Sequence, residues 1–341
     1  MSITYPLGQS SIAVTPIGLG CWQFSRSRGL AGSFWPAIPQ ATVREIVRVS
    51  MDGGINWFDT AEAYGGGASE ESLAEALSDL AVERSRFVVA DKWFPAFRMA
   101  GSIRRTFDAR QRALRRIALP GVPTIDLHQI HQPFSFSSVE RQVAEMSRLV
   151  NAGSVRAVGV SNFNEKLMRR AHARLASDGI PLASNQMRYS LLDREIERNG
   201  VLEAAAELGV TIIAYSPLAQ GILTGKFHGE QDIRGRHGPR KWLKRFKPAG
   251  LAATRPLIDE LDAVAKAHLS TPAQVALAWV VQRHGTRVVA IPGATSVNQA
   301  QSNANALALN LSQRELQRLD LAGRDAERRL KQLQRAAPDR A

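Results

Sequence analysis

The sequence predicts an α/β chain closed as a parallel (β/α)8 barrel, a TIM barrel, preceded by an N-terminal β-hairpin. Three observations carry that prediction. Eight short apolar runs alternate with amphipathic helical segments, and no shift in composition divides them. The length, 341 residues, suits one barrel and is long for one open domain. The first run ends Gly18-Leu19-Gly20, without the third glycine of a dinucleotide fingerprint, and leads into a long loop, which argues against a doubly wound sheet. Residues 1–324 form the barrel domain in this reading, and residues 325–341 a basic tail expected to fray.

The hairpin comes first. Tyr5-Pro6-Leu7 and Ile12-Ala13-Val14 flank Gly8-Gln9-Ser10-Ser11. Barrel strands are expected at Ile17–Gly20, Asn56–Asp59, Phe87–Asp91, Ile125–Ile130, Val155–Val160, Leu182–Asn185, Thr211–Tyr215 and Val288–Ile291. Between them, a helix opens at Ser69-Glu70-Glu71 and sets Leu73, Ala76, Leu77 and Leu80 on one face. Val139, Val143, Met146 and Val150 hold a helical period up to Gly153, and Val201, Ala204, Ala205 and Leu208 do so up to Gly209. Thr271-Pro272 supplies a cap and a proline at the first helical position, ahead of Val275, Ala278 and Trp279.

Composition narrows the class. Apolar residues make up 44%, enough for a large core. Cys21 is the single cysteine, so no internal disulfide forms, as in a reducing compartment. Met1 to Gln9 lacks the basic start and apolar centre of a signal peptide, and no apolar run is long enough to span a bilayer. A cytoplasmic protein with no membrane partner is the expectation. Net charge is +13, but its distribution does not suggest nucleic acid. The six arginines between Arg104 and Arg116 share their segment with Ile103, Phe107, Leu114 and Ile117 at helical spacing, the mark of a solvated helix face. Neither this segment nor the tail interleaves aromatics with cations as a base-stacking platform does. The stretch from Arg234 to Lys247 is also basic, and follows the seventh strand.

Function in such a barrel lies at the carboxyl ends of the strands. Asp59 and Tyr64 follow the second strand, Lys92 the third and His131 the fourth. Ser161-Asn162 follow the fifth, Asn185-Gln186 the sixth, Tyr215-Ser216-Pro217 the seventh and Pro292-Gly293 the eighth. Chance would scatter these polar groups over both ends. Asp59, Tyr64, Lys92 and His131 together match what carbonyl reduction needs. Oxygen that accepts negative charge must take a proton, and an unperturbed tyrosine, with a pKa of about 10, is a weak acid for that. A neighbouring ammonium lowers it, and a carboxylate keeps the ammonium charged and placed. A neutral histidine can donate to the developing oxyanion. His128 and His131 do not suggest a metal centre, since strand positions three apart face opposite ways.

At these residues the chain resembles the aldo/keto reductase superfamily, from about Tyr5 to Leu319. The resemblance rests on Gly18-Leu19-Gly20-Cys21-Trp22, Phe58-Asp59-Thr60-Ala61 with Tyr64-Gly65 and Ser69-Glu70, and Lys92. It continues through Ile125-Asp126-Leu127 with His131, Gly159-Val160-Ser161-Asn162-Phe163, Asn185-Gln186, the run from Ala214 to Lys226, and Ile291-Pro292-Gly293-Ala294. Tyr-Ser-Pro-Leu and Ile-Pro-Gly-Ala are similar to the bacterial and potassium-channel-β-like branches. The resemblance implies NADPH as cofactor, with NADH an alternative, and an aldehyde or ketone as the small-molecule substrate. It implies Tyr64 as proton donor, tuned by Lys92 and Asp59, with His131 orienting the carbonyl. Ser161, Asn162 and Gln186 would hold the nicotinamide carboxamide, and Tyr215 would stack on the ring. Ser216, Pro217, Leu218 and Lys226 would cradle the phosphates, and Gly293, Thr295, Gln299 and Asn303 would line the adenosine end. Cys21, Trp22, Asp59 and Gly221 complete the implied cofactor set.

Two departures bear on specificity. Gly293-Ala294 and Gln299 stand where many NADPH-specific members carry Lys-Ser and an arginine. Arg234, Arg236 and the rest of the basic stretch could compensate by drawing the extra phosphate. For the substrate, Trp22, Phe24, Phe34, Trp35, Trp93, Phe134 and Phe136 are expected in loops on the functional face, which suggests an apolar carbonyl compound. The segment from Gln23 to Gln40 could fold over the site as a lid. A cofactor-sensing regulatory subunit is the alternative function, and the intact tetrad favours the enzyme.

Overall fold

A computed structural model describes residues 3–29, 36–228 and 243–335. A two-stranded antiparallel hairpin, β1 (Tyr5–Pro6) and β2 (Ala13–Val14), precedes eight parallel strands. These are β3 (Leu19–Gly20), β4 (Trp57–Asp59), β5 (Val88–Trp93), β6 (Leu127–Ile130), β7 (Ala157–Ser161), β8 (Leu182–Arg188), β9 (Thr211–Tyr215) and β10 (Val288–Ile291). Each pairs with its sequence neighbour. Parallel bridges Ile17 to Ala290 and Gly20 to Gly293 join the first strand to the last, so the sheet closes as expected.

The helices in chain order are α1 (Gln40–Asp52), α2 (Ala68–Asp79), α3 (Ser102–Ala113), α4 (Val139–Asn151), α5 (Glu165–Ala176), α6 (Val201–Leu208), α7 (Pro248–Ala267), α8 (Pro272–Gln282), α9 (Val297–Asn305) and α10 (Gln313–Arg335). Thr271 caps α8 with a reciprocal Gln274 capping box, satisfying amide groups at the helix start that have no partner within it.

Strand alternation divides the core in two. Trp57, Val88, Ala90, Leu127, Ala157, Ala183, Ile213 and Val289 point into the barrel and pack on Leu7, Ile12 and Val14 of the hairpin, which plugs its lower end. Gly8 makes that plug fit. Its φ is +55°, its amide donates to Thr211 Oγ1 at 2.7 Å, and a Cβ there would stand 2.6 Å from the Ala183 carbonyl oxygen. Outward residues such as Phe58, Val89, Ile130, Val158 and Val160 pack under the helices. The inward phase that begins with Trp57, Val88 and Leu127 puts Asp59, Lys92 and Gln129 at the upper end, and that places the site.

Three sequence expectations are corrected. The chain beyond residue 324 does not fray at once: α10 runs to Arg335, with Ala326 and Leu330 buried. Ion pairs one turn apart, Arg324–Asp320, Arg329–Asp325 and Lys331–Glu327, support that last stretch. Phe24 and Trp93 are core residues, 1% exposed, because Trp93 falls on the outward phase of β5 and Phe24 turns under the loop after β3. Arg110 leaves the solvated face of α3 and turns inward to Glu70, 3.1 Å away. Phe34, Trp35, Arg234, Arg236, Arg240 and Lys241 lie outside the described residues, as does part of the expected lid.

Candidate active site

The upper end of the barrel gathers the expected tetrad. Lys92 is wholly buried on β5. Its Nζ donates to Asp59 Oδ1, to the Thr60 carbonyl oxygen at 2.8 Å and to the Tyr64 hydroxyl at 3.4 Å. Tyr64 sits in the loop between β4 and α2. That loop turns through Gly65, Gly66 and Gly67, all at positive φ. A Cβ on Gly65 would meet the Ser25 carbonyl oxygen at 2.4 Å, so the turn depends on glycine there. His131, just beyond β6, stands edge-on to the Tyr64 ring, centroids 5.7 Å apart, and Trp22 stacks on the same ring at 6.1 Å.

Charge follows from this geometry. Burial works against the Lys92 ammonium, but Asp59 beside it, joined by Tyr64 and Asp91, outweighs that and raises its pKa. Burial and Lys92 together hold His131 down to about 3, so its imidazole is neutral. Burial pushes the Tyr64 phenol up; Lys92 pulls it down and Asp59 raises it further. The expected lowering by the ammonium is therefore present but outweighed, because the same fold that brings Lys92 close also removes water from the phenol.

Around the tetrad runs an amide network. Gln186 Nε2 donates to Asp59 Oδ2 at 2.9 Å, and Gln129 Nε2 donates to the same oxygen at 3.3 Å. Ser161 Oγ donates to the Gln186 carbonyl oxygen, Asn162 Nδ2 donates to the His131 carbonyl oxygen at 3.3 Å, and the Tyr215 hydroxyl donates to Asn162 Oδ1 at 3.0 Å. Asn162 and Ser216 hold left-handed backbone, φ 60° and 53°, strain of the kind stored at functional loops.

The remaining expected residues extend from this centre. Pro217, Leu218 and Gly221 lie in the loop after β9, and exposed Lys226 sets its ammonium over the Phe227 ring. Thr295 donates to Gln299 through both its amide and its hydroxyl, and Asn303 Nδ2 donates to the Gly293 carbonyl oxygen at 3.3 Å. Cys21 does not join them by its side chain. Its thiol is shut in the core, and burial pushes its pKa well up. Asp91 turns away from Lys92, as alternation predicts.

Gln23 and Glu62 were not singled out from sequence. The Gln23 amide lies over Gly293, where a Cβ would meet it at 2.2 Å, and its Oε1 is buried without a hydrogen-bond partner among the described residues. Glu62 Oε1 accepts from the Phe94 amide at 2.6 Å and pairs with Arg98, tying the Tyr64 loop to the loop after β5. Neither carried a local signal, since their partners are distant in sequence.

The aldo/keto reductase family profile matches residues 16–323. The chain belongs to the aldo/keto reductase family. It is therefore an oxidoreductase of the nicotinamide-dependent kind. It is similar to a probable aldo-keto reductase of Glycine max, 32% identical over 317 residues, covering 92% of this chain and 86% of that one. An uncharacterized oxidoreductase of Mycobacterium bovis is 40% identical over 301 residues, covering 88% and 86%. Among solved structures, the glycerol dehydrogenase of Gluconobacter oxydans superposes with a TM-score of 0.79 at 26% identity, covering 95% of this chain and 96% of that one. An aldo-keto reductase of Klebsiella pneumoniae in complex with NADPH gives 0.69 at 26% identity, covering 94% and 95%. No helix among the described residues is long and apolar enough to cross a membrane, and no group of three potential metal ligands occurs among them.

Proposed function

We propose that this aldo/keto reductase reduces aldehydes or ketones to alcohols with NADPH, and that Tyr64 is the proton donor. One observation carries the assignment: the Tyr64 hydroxyl lies 3.4 Å from an ammonium that is itself fixed on Asp59. Bound NADPH supplies the hydride. Neutral His131 donates toward the carbonyl oxygen and sets its angle. The Tyr64 O–H gives its proton to that oxygen as charge develops, and Lys92 stabilises the phenolate left behind.

The mouth fits a dinucleotide. Asn162, Gln186 and Ser161 offer donors and acceptors to a carboxamide. Tyr215 offers a ring face, and the Gln23 amide, its oxygen orphaned among the described residues, lies over Gly293. Ser216, Leu218 and Lys226 suit phosphate, and Thr295, Gln299 and Asn303 suit the adenosine end. Phe94 stands edge-on to His131 at 5.6 Å and to Phe134 at 6.3 Å, an apolar wall that favours an apolar carbonyl compound. The test is steady-state oxidation of NADPH and of NADH against a panel of aliphatic and aromatic carbonyls. Turnover with at least one carbonyl and tighter binding of NADPH are expected; no turnover across the panel would overturn the proposal.

A further inference from the structure

We propose that Gln129 is a positioning residue that holds Asp59 in place for Lys92 and Tyr64 while Gln186 is engaged by the cofactor. The inference rests on the function proposed above. Asp59 is 1% exposed, so its carboxylate depends on protein donors instead of water. Oδ1 takes the Lys92 ammonium. Oδ2 takes two side-chain amides, from Gln186 and Gln129. A carboxylate can only accept, so each glutamine must turn its NH2 toward it.

The two amides differ in what else they face. Gln186 stands beside Ser161 and Asn162 at the mouth, in the group suited to the carboxamide. An N–H turned to that ligand is one fewer for Asp59. Gln129 lies deeper, wholly buried on β6, in register with Lys92 on one side and Gly159 on the other. Gly159 leaves it room: a Cβ there would stand 3.1 Å from Gln129 Cγ and 2.4 Å from Ser184 Oγ. Gln129 Oε1 also lies 3.5 Å from Gln186 Nε2, at the limit of a hydrogen bond. Gln129 thus has a dedicated slot and no second duty at the mouth. Without it, an Asp59 released by Gln186 would keep Oδ1 on Lys92 with Oδ2 unmet, and the carboxylate could rotate away from the line that fixes the ammonium under the phenol.

The titratable groups facing Gln129 are Asp59 from β4, to which it donates, and Lys92, its register partner on β5, with the Tyr64 hydroxyl beyond the ammonium. Two variants separate positioning from packing. Gln129→Leu fills the slot without a donor. Gln129→Glu can donate only when protonated, so it should mimic the wild type at about pH 5 and fail as it ionises beside Asp59. Expected for Gln129→Leu is a single-turnover reduction rate down by about tenfold, with NADPH affinity within about twofold of wild type. Expected for Gln129→Glu is a rate near wild type at about pH 5 that falls by about tenfold by about pH 8. Its cofactor-free melting temperature should drop against wild type over the same range, because a carboxyl protonated in the folded state loses stability as pH rises.

A Gln129→Leu rate equal to wild type would overturn the inference. So would a Gln129→Glu rate and melting difference that do not change with pH, and that pair of measurements stands even if the leucine variant does not fold. Absence of turnover in the wild type would instead overturn the proposed function, and this inference with it.

Discussion

Strands β5 and β6 bury polar groups on both faces, and the two faces meet the cost of burial differently. Inside the barrel, Lys92 pairs in register with Gln129, and every polar atom of the Lys92–Asp59 pair has a partner. One residue away, Asp91 pairs in register with His128 under α2 and α3. There both Asp91 oxygens and His128 Nδ1 lack a hydrogen-bond partner among the described residues, with His128 Nδ1 3.8 Å from Asp91 Oδ2. Burial drives Asp91 up to about 7 and, with Arg110, holds His128 down to about 3. Glu70 is pushed up by burial and by Asp91, even though Arg110 pairs with it. A buried charge survives where partners converge on it, and otherwise gain of a proton by a carboxylate or loss of one by a histidine removes it. The inner face keeps its charge; on the outer face Asp91 holds a proton up to about pH 7 and His128 is neutral.

The largest effect should come from breaking the inner face. Tyr64→Phe removes one oxygen and little volume, so fold and NADPH binding should survive. Turnover should fall by about 10²–10⁴-fold, the usual contribution of a placed general acid. Lys92→Met should be comparably severe, since it removes the charge that stabilises the phenolate. In the proposed mechanism the two residues act as a unit, so the double variant should be little worse than either single one. Turnover numbers of all three with one good carbonyl, alongside cofactor affinity, decide this. Near wild-type turnover in Tyr64→Phe would sink the assignment.

A smaller effect should follow on the outer face, in stability and not in rate. The Asp91 carboxyl titrates near 7 in the folded protein against about 3.9 unfolded. The folded protein therefore holds a proton that the unfolded chain releases from about pH 4 upward, and stability is lost as pH rises through about 7. Asp91→Asn needs no proton. It should flatten that fall and gain on the order of 1 kcal/mol over wild type at about pH 8. The groups that set this are Arg110, Glu62, Glu70 and Lys92, with His128 neutral beside it. Urea denaturation of both proteins at about pH 5 and about pH 8 measures it, and parallel losses would contradict the account.

The contrast also explains how much could be read from sequence. Alternation fixes phase, so the tetrad and the outward turn of Asp91 were legible from the strand ends alone. Gln129 was legible in principle, since it shares the phase of Leu127 and His131 on a buried strand. What alternation cannot give is the partner across the barrel. Arg110 sits among arginines at solvated spacing, and only Glu62 and Glu70, brought in by another element, turn it inward. The rise at Tyr64 was missed for the same reason: the neighbouring ammonium could be inferred, but the depth of burial depends on Trp22, His131 and the loops that cover the ring. At the carboxyl end, the basic composition of α10 suggested fraying, whereas burial of Ala326 and Leu330 against the body depends on packing that charge content does not report.

The smallest effect expected is the absence of a step, and it tests whether the two faces are insulated. Histidine ordinarily titrates near 6.5, in the middle of the working range. Here burial and Lys92 hold His131 at about 3, so its donor N–H persists without a charge change from about pH 5 to about pH 8. Asp91 does titrate in that range, but its side chain lies on the far side of β5 from the Lys92 ammonium, and its field ranks behind those of Asp59 and Tyr64 there. Lys92 is held by three contacts on the inner face, which leaves a change behind the strand little to move. The rate of carbonyl reduction should therefore vary by less than about twofold across this window in the wild type, and the Asp91→Asn profile should superpose on it. A step near pH 7 that disappears in Asp91→Asn would mean that the outer face reaches the ammonium through the backbone. A step that persists in that variant and vanishes in His131→Asn would mean that His131 titrates in the working range, and the neutral donor assigned to it would have to be replaced by an imidazolium.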